Sequence, residues 1–443
     1  MTTSYLPYCP DQQFLLPVAL QDWLPENHLA YFISDAVDRL DLSAFHRRYA
    51  GGGSRNQPFH PAMMVKVLIY AYATGTFSSR KIAKKLHEDI GFRVLAADNF
   101  PAHRTIRDFR AMHLEALAQL FTQVVRLARE VGLVKLGTIA VDGTKIKANA
   151  SRHKAMSYAR MQLAEVKLKQ QIAALLVKAE NADLAEQDEP ESDIPAELAR
   201  RRSRLEVIEA AKKRLEERQA QIDTAQGLSP EKTKDQDTKP KGGKPKRAFG
   251  VPPDKAQESF TDPQSRIMKH STGGFDYSYN AQTAVDQAAH IIVAAEVINT
   301  SSDKKQLPMV LGAVKAHVGQ SALQVLADAG YRSEAVMGKL AKDLPATDVI
   351  IALGRENHEQ TQSIDPEKYP HTVAMQSKLQ SEQGKESYRK RKWIAEPPNG
   401  WIKNILGFRQ FSMRGLNKTN GEFKLVCLAL NLRRMGSMQV NWG

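Results

Sequence analysis

The sequence lacks most of the features that mark secreted, disulfide-stabilised or membrane proteins. Its 443 residues contain two cysteines, Cys9 and Cys427, which are too few for a disulfide framework or a cysteine-based zinc site. No apolar run approaches the roughly 20 residues that a membrane-spanning helix needs. The first residues also lack the basic segment and apolar core of a secretion signal. We therefore expect a cytoplasmic protein that makes no membrane contact.

Acidic residues are outnumbered, and a nucleotide-binding loop is missing. The chain has 49 Asp and Glu against 63 Lys and Arg, which leaves a formal net charge of +14. Such an excess of basic charge is expected of a protein whose partner is a polyanion, and nucleic acid is the leading candidate. The glycines of "STGGF" are not followed by the Lys and Ser or Thr of a nucleotide-binding loop, so we expect no nucleotide cofactor.

Residues 1–132 are predicted to form a helical DNA-binding domain. The segments "HPAMMVKVLIYAYATG" and "HRTIRDFRAMHLEALAQLFTQVVRLAREVG" carry apolar residues at helical spacing. Short basic helices joined by tight connections suit a helix-turn-helix reader of DNA. A solvated face on an ordinary helical bundle explains this segment equally well. The basic side chains expected on outer helix faces, as candidate DNA contacts, are Arg80, Lys81, Lys84, Arg104, Arg107 and Arg110.

The rest of the chain is predicted to be an α/β domain interrupted by a helical insertion. Residues 133–154 hold its first strand. Residues 155–226 carry apolar seams typical of an antiparallel helical hairpin or coiled coil. Residues 227–257 are rich in Pro, Gly and Lys, which predicts a mobile basic linker. From 258 to 443 strands alternate with helices, so a mixed sheet covered by helices is expected, and the first strand should belong to it.

The pair Asp142 and Gly143 in "TIAVDGTKIKANAS" allows two interpretations. Asp-Gly between short β-rich runs is typical of a tight hairpin turn, and taken alone this interpretation is favoured by roughly two to one. In the other interpretation a strand ends at Asp142, which then faces a metal. The same pattern, an apolar run that stops at an aspartate with glycine close behind, recurs at Asp328 in "VLADAGYRS".

Two strands that both end at an aspartate predict a metal site. Ligands bind at the carboxyl ends of strands in open α/β sheets, so Asp142 and Asp328 converge if their strands are neighbours. Two adjacent carboxylates repel each other unless a cation lies between them. Oxygen ligands favour Mg²⁺ or Mn²⁺, and a pair of such ions can activate a nucleophile and stabilise a leaving oxygen in phosphodiester displacement.

A third carboxylate is predicted in the basic segment "YRKRKWIAEPPNGWIKNILGFRQFSMRGLNK". Glu396 is the only acid there, and a carboxylate within a phosphate-binding surface makes sense as a metal ligand. Alternatively, Glu396 begins a helix, because Pro397 and Pro398 favour a first turn and Glu is stabilising there. Asp303 in "NTSSDKKQ" is predicted to be a helix N-cap rather than a metal ligand.

Taken together, these motifs closely resemble the DDE-type transposases of bacterial insertion sequences, in particular the group with an Asp-Gly-Thr-Lys first motif and a long helical insertion. The segment "FHPAMMVKVLIYAYATGTFSSRKIAKKLHED" is similar to the N-terminal domain of that family. "AVDGTKIKANAS", "LADAGYRS" and "AEPPNGWIKNILGFRQF" are similar to its three acidic motifs in order. The resemblance covers nearly the whole chain.

The resemblance implies a ribonuclease-H-like mixed sheet with helices, preceded by an all-α domain. It implies that Asp142, Asp328 and Glu396 are catalytic residues that hold two Mg²⁺ ions, for which Mn²⁺ can substitute. Lys403 keeps the family's six-residue gap after Glu396 and is a candidate contact to a DNA phosphate. Tyr388 and Arg391 lie one residue too far from Glu396, so their family roles are not carried over, although Arg391 stays among the candidate DNA contacts.

The predicted function is therefore that of a transposase. Such an enzyme binds the terminal inverted repeats of its element, cuts phosphodiester bonds with a metal-activated water and joins the freed 3′-hydroxyl to target DNA. The resemblance also implies a homo-oligomer on double-stranded DNA, associated with the bacterial nucleoid. Two alternatives remain open: a catalytically inactive DNA-binding scaffold derived from a transposase, and a metal-dependent nuclease without strand transfer.

Overall fold

A computed structural model describes residues 19–49, 58–185, 194–230, 247–270, 273–354 and 364–440. Most of the predicted basic linker, and Cys9, lie outside these residues. Helices dominate the N-terminal region, as predicted. They are α1 (Leu29–Asp38), α2 (Ser43–His46), α3 (Pro61–Ala73), α4 (Ser79–Glu88), α5 (Ile90–Leu95), α6 (His103–Met112) and α7 (Leu114–Glu130). No helix in the described part of the chain is long and apolar enough to cross a membrane.

The basic helix α4 is amphipathic in the way its sequence predicts. Ile82 and Leu86 are fully buried, because residues four apart share one helix face. Arg80, Lys81 and Lys84 lie on the opposite, exposed side. By contrast, α3 is buried on nearly every side, consistent with its almost continuous apolar sequence. Thus α3 forms the centre of the N-terminal helices and α4 presents their basic surface.

The described strands form one mixed sheet of six strands and a separate pair. The order in the sheet is β4-β5-β1-β7-β8, and β6 also pairs with β5. β1 is antiparallel to β5 but parallel to β7, and β7 is parallel to β8. The strands are β1 (Thr138–Lys147), β2 (Ala155–Ser157), β3 (Gln257–Ser259), β4 (Arg266–Lys269), β5 (Phe275–Asp286), β6 (Ile292–Ile298), β7 (Gln324–Ala327) and β8 (Asp348–Ile351), of which β2 and β3 form the pair. The mixed sheet, with the Asp142 strand inside it, is confirmed.

β1 does not end or turn at Asp142. It continues to Lys147, so the hairpin interpretation is wrong, and so is the strand end predicted at Asp142. β5 explains the continuation, because it pairs with β1 along almost the whole of that strand. The parallel pairing with β7 stops earlier, where Val141 lies opposite Ala327. Asp142 is therefore the first residue of β1 beyond its pairing with β7.

Two long helices follow β1 in the chain, α8 (Tyr158–Ala185) and α9 (Ile194–Ala225). They are antiparallel, because the Tyr158 hydroxyl donates to Glu216 at 2.7 Å and Glu165 pairs with Lys212 at 2.9 Å further along. Their contact surface is a small core separate from the main one, made of Tyr158, Met161, Leu168, Ile208, Ala211 and Leu215.

The last helices connect the sheet to the N-terminal helices. They are α10 (Leu307–Val318), α11 (Glu334–Asp343), α12 (Pro370–Gln380), α13 (Glu382–Gly400) and α14 (Leu416–Ser437). α14 is largely buried and contacts α1, α3 and α7 as well as β6. One continuous hydrophobic core therefore extends from the N-terminal helices through α14 to the sheet.

Arg110 lies inside this junction, so the prediction that it faces outward is wrong. Its side chain is buried, and Nη1 donates to the Tyr72 hydroxyl at 2.9 Å and to the Phe77 carbonyl at 2.8 Å. The Tyr72 hydroxyl in turn donates to Glu422 of α14 at 3.4 Å. A buried guanidinium is tolerated only with such partners. Arg110 thus links the N-terminal helices to α14, and the row on α6 retains only Arg104 and Arg107 as exposed members.

Candidate active site

Asp142 and Asp328 lie side by side just beyond the end of the pairing between the interior strands β1 and β7. β1 and β7 are parallel, and the register that pairs Val141 with Ala327 makes an aspartate the next residue on each chain segment. The two carboxylates therefore come together, as the repeated motif predicts. Asp328 begins a 3₁₀ turn, and its Oδ1 accepts a hydrogen bond from the Gly330 amide at 2.9 Å.

Helix α13 covers this carboxylate pair. Arg391 and Asn399 are separated by two spacings of four residues, so both project from one face of the helix. Arg391 Nη2 lies 3.2 Å from Asp142 Oδ1 and 3.5 Å from Asp328 Oδ2. Asn399 Nδ2 donates to Asp142 Oδ2 at 3.1 Å. One guanidinium thus contacts both carboxylates, and one amide holds the second oxygen of Asp142.

The two prolines of α13 lie inside the helix, near its end, rather than at its start. The helix begins at Glu382, so the interpretation of Glu396 as a helix-start residue is wrong. Pro397 has no N–H to donate to the carbonyl of Trp393 one turn earlier. His290, from the connection between β5 and β6, pairs with that carbonyl at 3.0 Å through Nε2. This long-range contact satisfies the carbonyl that the proline leaves free, and a π-helical turn, Trp401–Ile405, follows.

The electrostatics of Asp142 reflect its burial. Its side chain is 19% exposed, whereas that of Asp328 is 39% exposed. The pKa of Asp142 is raised to about 6, chiefly by burial and also by the charge of Asp328, while Arg391 and the amides of Gly143 and Asn399 oppose the rise. A carboxyl group with this pKa is held at a site where an added positive charge is favoured.

Glu396 does not join the two aspartates in this structure. It is exposed on α13, one helical turn before Asn399. The described residues contain no group of three or more His, Cys, Asp or Glu side chains arranged to hold a metal. The role predicted for Glu396 therefore remains a prediction.

Asp303 lies on the opposite face of β1 and is not the predicted helix N-cap. Gln306 occupies the N-cap position of α10. Asp303 Oδ1 instead accepts from Asn280 Nδ2 at 2.6 Å and Gln282 Nε2 at 2.7 Å, and its Oδ2 lies 3.6 Å from Lys145 Nζ.

The hydrogen-bond network around Asp303 also reaches the turn that carries Asp328. Gln282 accepts a hydrogen bond from the hydroxyl of Tyr331, whose ring is fully buried three residues after Asp328. Asp303 is thus part of a network that connects β1, β5 and the Asp328 turn.

Lys403 lies close to the carboxylate pair. It is partly buried in the π-helical turn after α13. Burial lowers its pKa, the neighbouring charges of Arg409 and Lys145 add to that effect, and the charge of Asp142 opposes it. Its contact with DNA remains a prediction, but its charge lies near enough to Asp142 for the two to interact.

Several of these site residues carry no local sequence signal. Asn399 follows a Pro-Pro pair that predicted a helix start, so its helical spacing from Arg391 was not evident. Asp303, Asn280 and Gln282 come together only because β5 pairs with β1. The helical spacing of Arg391 and Asn399 would have been visible had the helix been extended back to Glu382.

Two segments of the chain match known protein families. Residues 18–112 match a family described as a transposase domain, which places the chain among transposases. Residues 242–432 match the transposase DDE domain family, a stretch that includes Asp328, Arg391 and Glu396 but not Asp142. With both matches in this order, the chain belongs to the DDE-type transposases of insertion sequences. Comparisons with curated proteins and with solved structures gave no match.

Proposed function

We propose that this transposase binds the terminal inverted repeats of its element, cleaves phosphodiester bonds and transfers the 3′-hydroxyl end to target DNA at the Asp142 and Asp328 site. The observation that carries this proposal is the convergence of the two aspartates next to the end of the β1–β7 pairing. Their motifs are separated in the chain by two long helices, yet the register makes them neighbours.

The donor atoms at this site fit hard divalent cations such as Mg²⁺, with Mn²⁺ as a substitute. Asp142 and Asp328 supply carboxylate oxygens near enough to contact the same guanidinium. The Oδ1 atom of Asn399 is buried and has no hydrogen-bond partner among the described residues, so a further oxygen is available. Carboxylate and amide oxygens are the ligands that these cations prefer. Glu396 is proposed as the third carboxylate, since it lies one turn from Asn399 on α13.

Each residue then has a distinct role. Two cations bound by Asp142, Asp328 and Glu396 would activate the attacking water or hydroxyl and stabilise the leaving oxygen. Lys403 would bind the phosphate next to the scissile bond, because it carries a positive charge near Asp142. Burial by α13 limits the access of water to Asp142, which strengthens its electrostatic interactions.

The rest of the molecule supports binding to DNA. Exposed basic residues of α4 and α6 are proposed to contact the phosphates of the terminal repeats, in a helix-turn-helix arrangement. The sheet is proposed to be ribonuclease-H-like, on the basis of its antiparallel strands β6, β5 and β1 beside the parallel strands β7 and β8. Synapsis of two ends would require a homo-oligomer. The candidate DNA contacts on the outer surface are Arg80, Lys81, Lys84, Arg104 and Arg107.

The test of this function uses a labelled duplex that carries the end of the element, with the full-length protein and Mg²⁺. Cleavage followed by joined products is the expected result. Cleavage without joining would identify a nuclease, and binding without cleavage would identify an inactive scaffold. Simultaneous replacement of Arg80, Lys81 and Lys84 by Gln should weaken binding and make it less dependent on salt, because fewer counterions are released from phosphate.

A further inference from the structure

The carboxylate pair is fully engaged by the protein itself. Arg391 contacts Asp142 Oδ1 and Asp328 Oδ2, at 3.2 Å and 3.5 Å. Asn399 Nδ2 donates to Asp142 Oδ2 at 3.1 Å, and the Gly330 amide donates to Asp328 Oδ1 at 2.9 Å. All four carboxylate oxygens therefore have a hydrogen-bond or ion-pair partner.

Arg391 and a divalent cation compete for the same two carboxylates. The guanidinium offsets the repulsion between two negative charges, which is the effect that a bound cation would have. A cation entering here would meet carboxylate oxygens that already have partners, and it would be repelled by the positive charge of Arg391. The side chain of Arg391 is only 13% exposed, and its Nε has no hydrogen-bond partner among the described residues. Arg391 must therefore move for a cation to bind both aspartates.

A displaced Arg391 needs another anion. A partly buried guanidinium that loses its carboxylates pays a large desolvation cost unless a new partner replaces them. A phosphodiester is well suited to this, because guanidinium binds phosphate through parallel hydrogen bonds. The neighbouring residue Lys392 is exposed on the same helix, so α13 already presents positive charge to a phosphate backbone.

We propose that Arg391 exchanges between the carboxylate pair and a DNA phosphate, so that binding of DNA makes the site available to the divalent cation. This rests on the proposed function, since it assumes that the carboxylates hold a cation and that DNA passes over α13. Without DNA, Arg391 keeps the affinity for the cation low. With DNA, the guanidinium turns to the phosphate. By linkage, the cation must strengthen DNA binding by the same factor.

Binding of Mn²⁺ to the full-length protein tests this exchange without relying on catalysis. Free Mn²⁺ is measured by electron paramagnetic resonance, with and without a saturating duplex oligonucleotide, and Asp142→Asn provides the blank for ions held by the DNA. The wild-type affinity should rise on adding DNA by a factor within the usual range of coupling, roughly 5- to 150-fold. Arg391→Gln should bind Mn²⁺ at least about fivefold more tightly than wild type without DNA, and should gain little from DNA.

The matched control is Arg389→Gln, which removes an exposed arginine from the same helix. It should behave as wild type in both conditions. Thermal unfolding gives a second readout: Arg391→Gln should be destabilised in chelator, where the carboxylates are left unpaired, and Mn²⁺ should restore its stability more than that of wild type. Arg391→Lys, which keeps the charge but not the planar fork, should fall between the two.

Two results would overturn the exchange. If wild type bound Mn²⁺ equally well with and without DNA, or Arg391→Gln bound it no better than wild type, the cation and Arg391 would not compete. If neither wild type nor the Arg391 and Arg389 variants bound Mn²⁺ above the Asp142→Asn blank, even on DNA, the cation site of the proposed function would fail and the exchange with it. In the first failure Mn²⁺ binds above the Asp142→Asn blank but without the expected coupling. In the second it does not bind above the blank, so the two failures are distinguishable.

Discussion

At the scale of single residues, Asp142 and Gly143 are neighbours on β1 that face opposite sides of the sheet. The side chain of Asp142 contacts helix α13. On the other side, a Cβ at position 143 would lie 2.5 Å from Gln282 Nε2 and 2.8 Å from Asp303 Oδ1. Glycine is therefore needed at 143 because the Asp303 network packs directly against the backbone, and not because of a turn.

Gly143→Ala should destabilise the protein by about 1–3 kcal/mol, the usual cost of forcing an extra methyl group into a packed site. Urea unfolding of the full-length protein measures this. Gly137→Ala is the matched control just before β1, where an added Cβ would have no heavy atom within 4 Å. Equal stability of the two variants would show that the network can yield at no cost.

Asp303→Asn should also be destabilising, in contrast to the expectation from an N-cap, where Asn serves as well as Asp. Both amides that bond to Asp303 use Oδ1, and Oδ2 faces Lys145. An amide in place of the carboxylate must turn an NH₂ group towards a donor on one side or the other. We expect a loss of about 1–3 kcal/mol by urea unfolding. Asp343→Asn, at an exposed site on α11, should have little effect. If Asp303→Asn were as stable as wild type, the hydrogen bonds of Asp303 would contribute little to the stability of the protein.

At the scale of secondary structure, the sequence predicted which elements exist better than where they end. The exposed basic face of α4 and the alternation of strands with helices after residue 258 follow from local periodicity, and they are found as predicted. The ends of β1 and α13 depend on distant residues. β5 extends β1 beyond Asp142 by pairing with it, and His290 satisfies the carbonyl freed by Pro397. No window of local sequence contains both partners, so the strand end at Asp142 and the helix start at Glu396 were both predicted wrongly.

The packing of α10 on α7 and β6 predicts a pH dependence of stability. His317 of α10 is buried, its Nδ1 lies 3.0 Å from the Val293 carbonyl, and its ring packs against Phe121. Burial lowers the pKa of His317 below 6.5, and the charges of Lys424 and Arg126 act in the same direction, while the Val293 carbonyl and Glu296 oppose them. The folded protein therefore binds this proton less readily than the unfolded chain does.

The lowered pKa of His317 makes the protein less stable as the pH falls. The contribution of His317 to stability is complete above about pH 6.5, the value in the unfolded chain, and is lost as the pH falls towards the lower folded pKa. His317→Gln should remove this dependence. Its urea midpoint should fall less than that of wild type between about pH 7 and pH 5, since all other titrating groups are shared. Parallel decreases in the two proteins would show that His317 does not change its charge in this range.

At the scale of the whole molecule, the N-terminal helices and the mixed sheet share one hydrophobic core through α14. Binding to DNA should therefore be tested with the full-length chain, because a fragment ending near residue 130 would expose the surface that α14 covers. The same long-range packing explains which parts of the site were predictable. Asp142 and Asp328 each carry a local motif, whereas Asn399 and the contact of Arg391 with the carboxylates depend on how α13 packs against β1 and β7.

Cleavage of a labelled element end in Mg²⁺ by three isosteric variants tests the proposed active site most directly. Asp142→Asn, Asp328→Asn and Glu396→Gln each preserve shape and remove one ligand charge. Each should lower cleavage and joining by at least about a hundredfold, more than the loss of a residue that only supports a ligand. Binding of the end should remain, and double variants should lose no more than single ones, because one site cannot be removed twice. Normal cleavage by Asp142→Asn would contradict the assignment of this site, and normal cleavage by Glu396→Gln alone would show that the third ligand lies elsewhere.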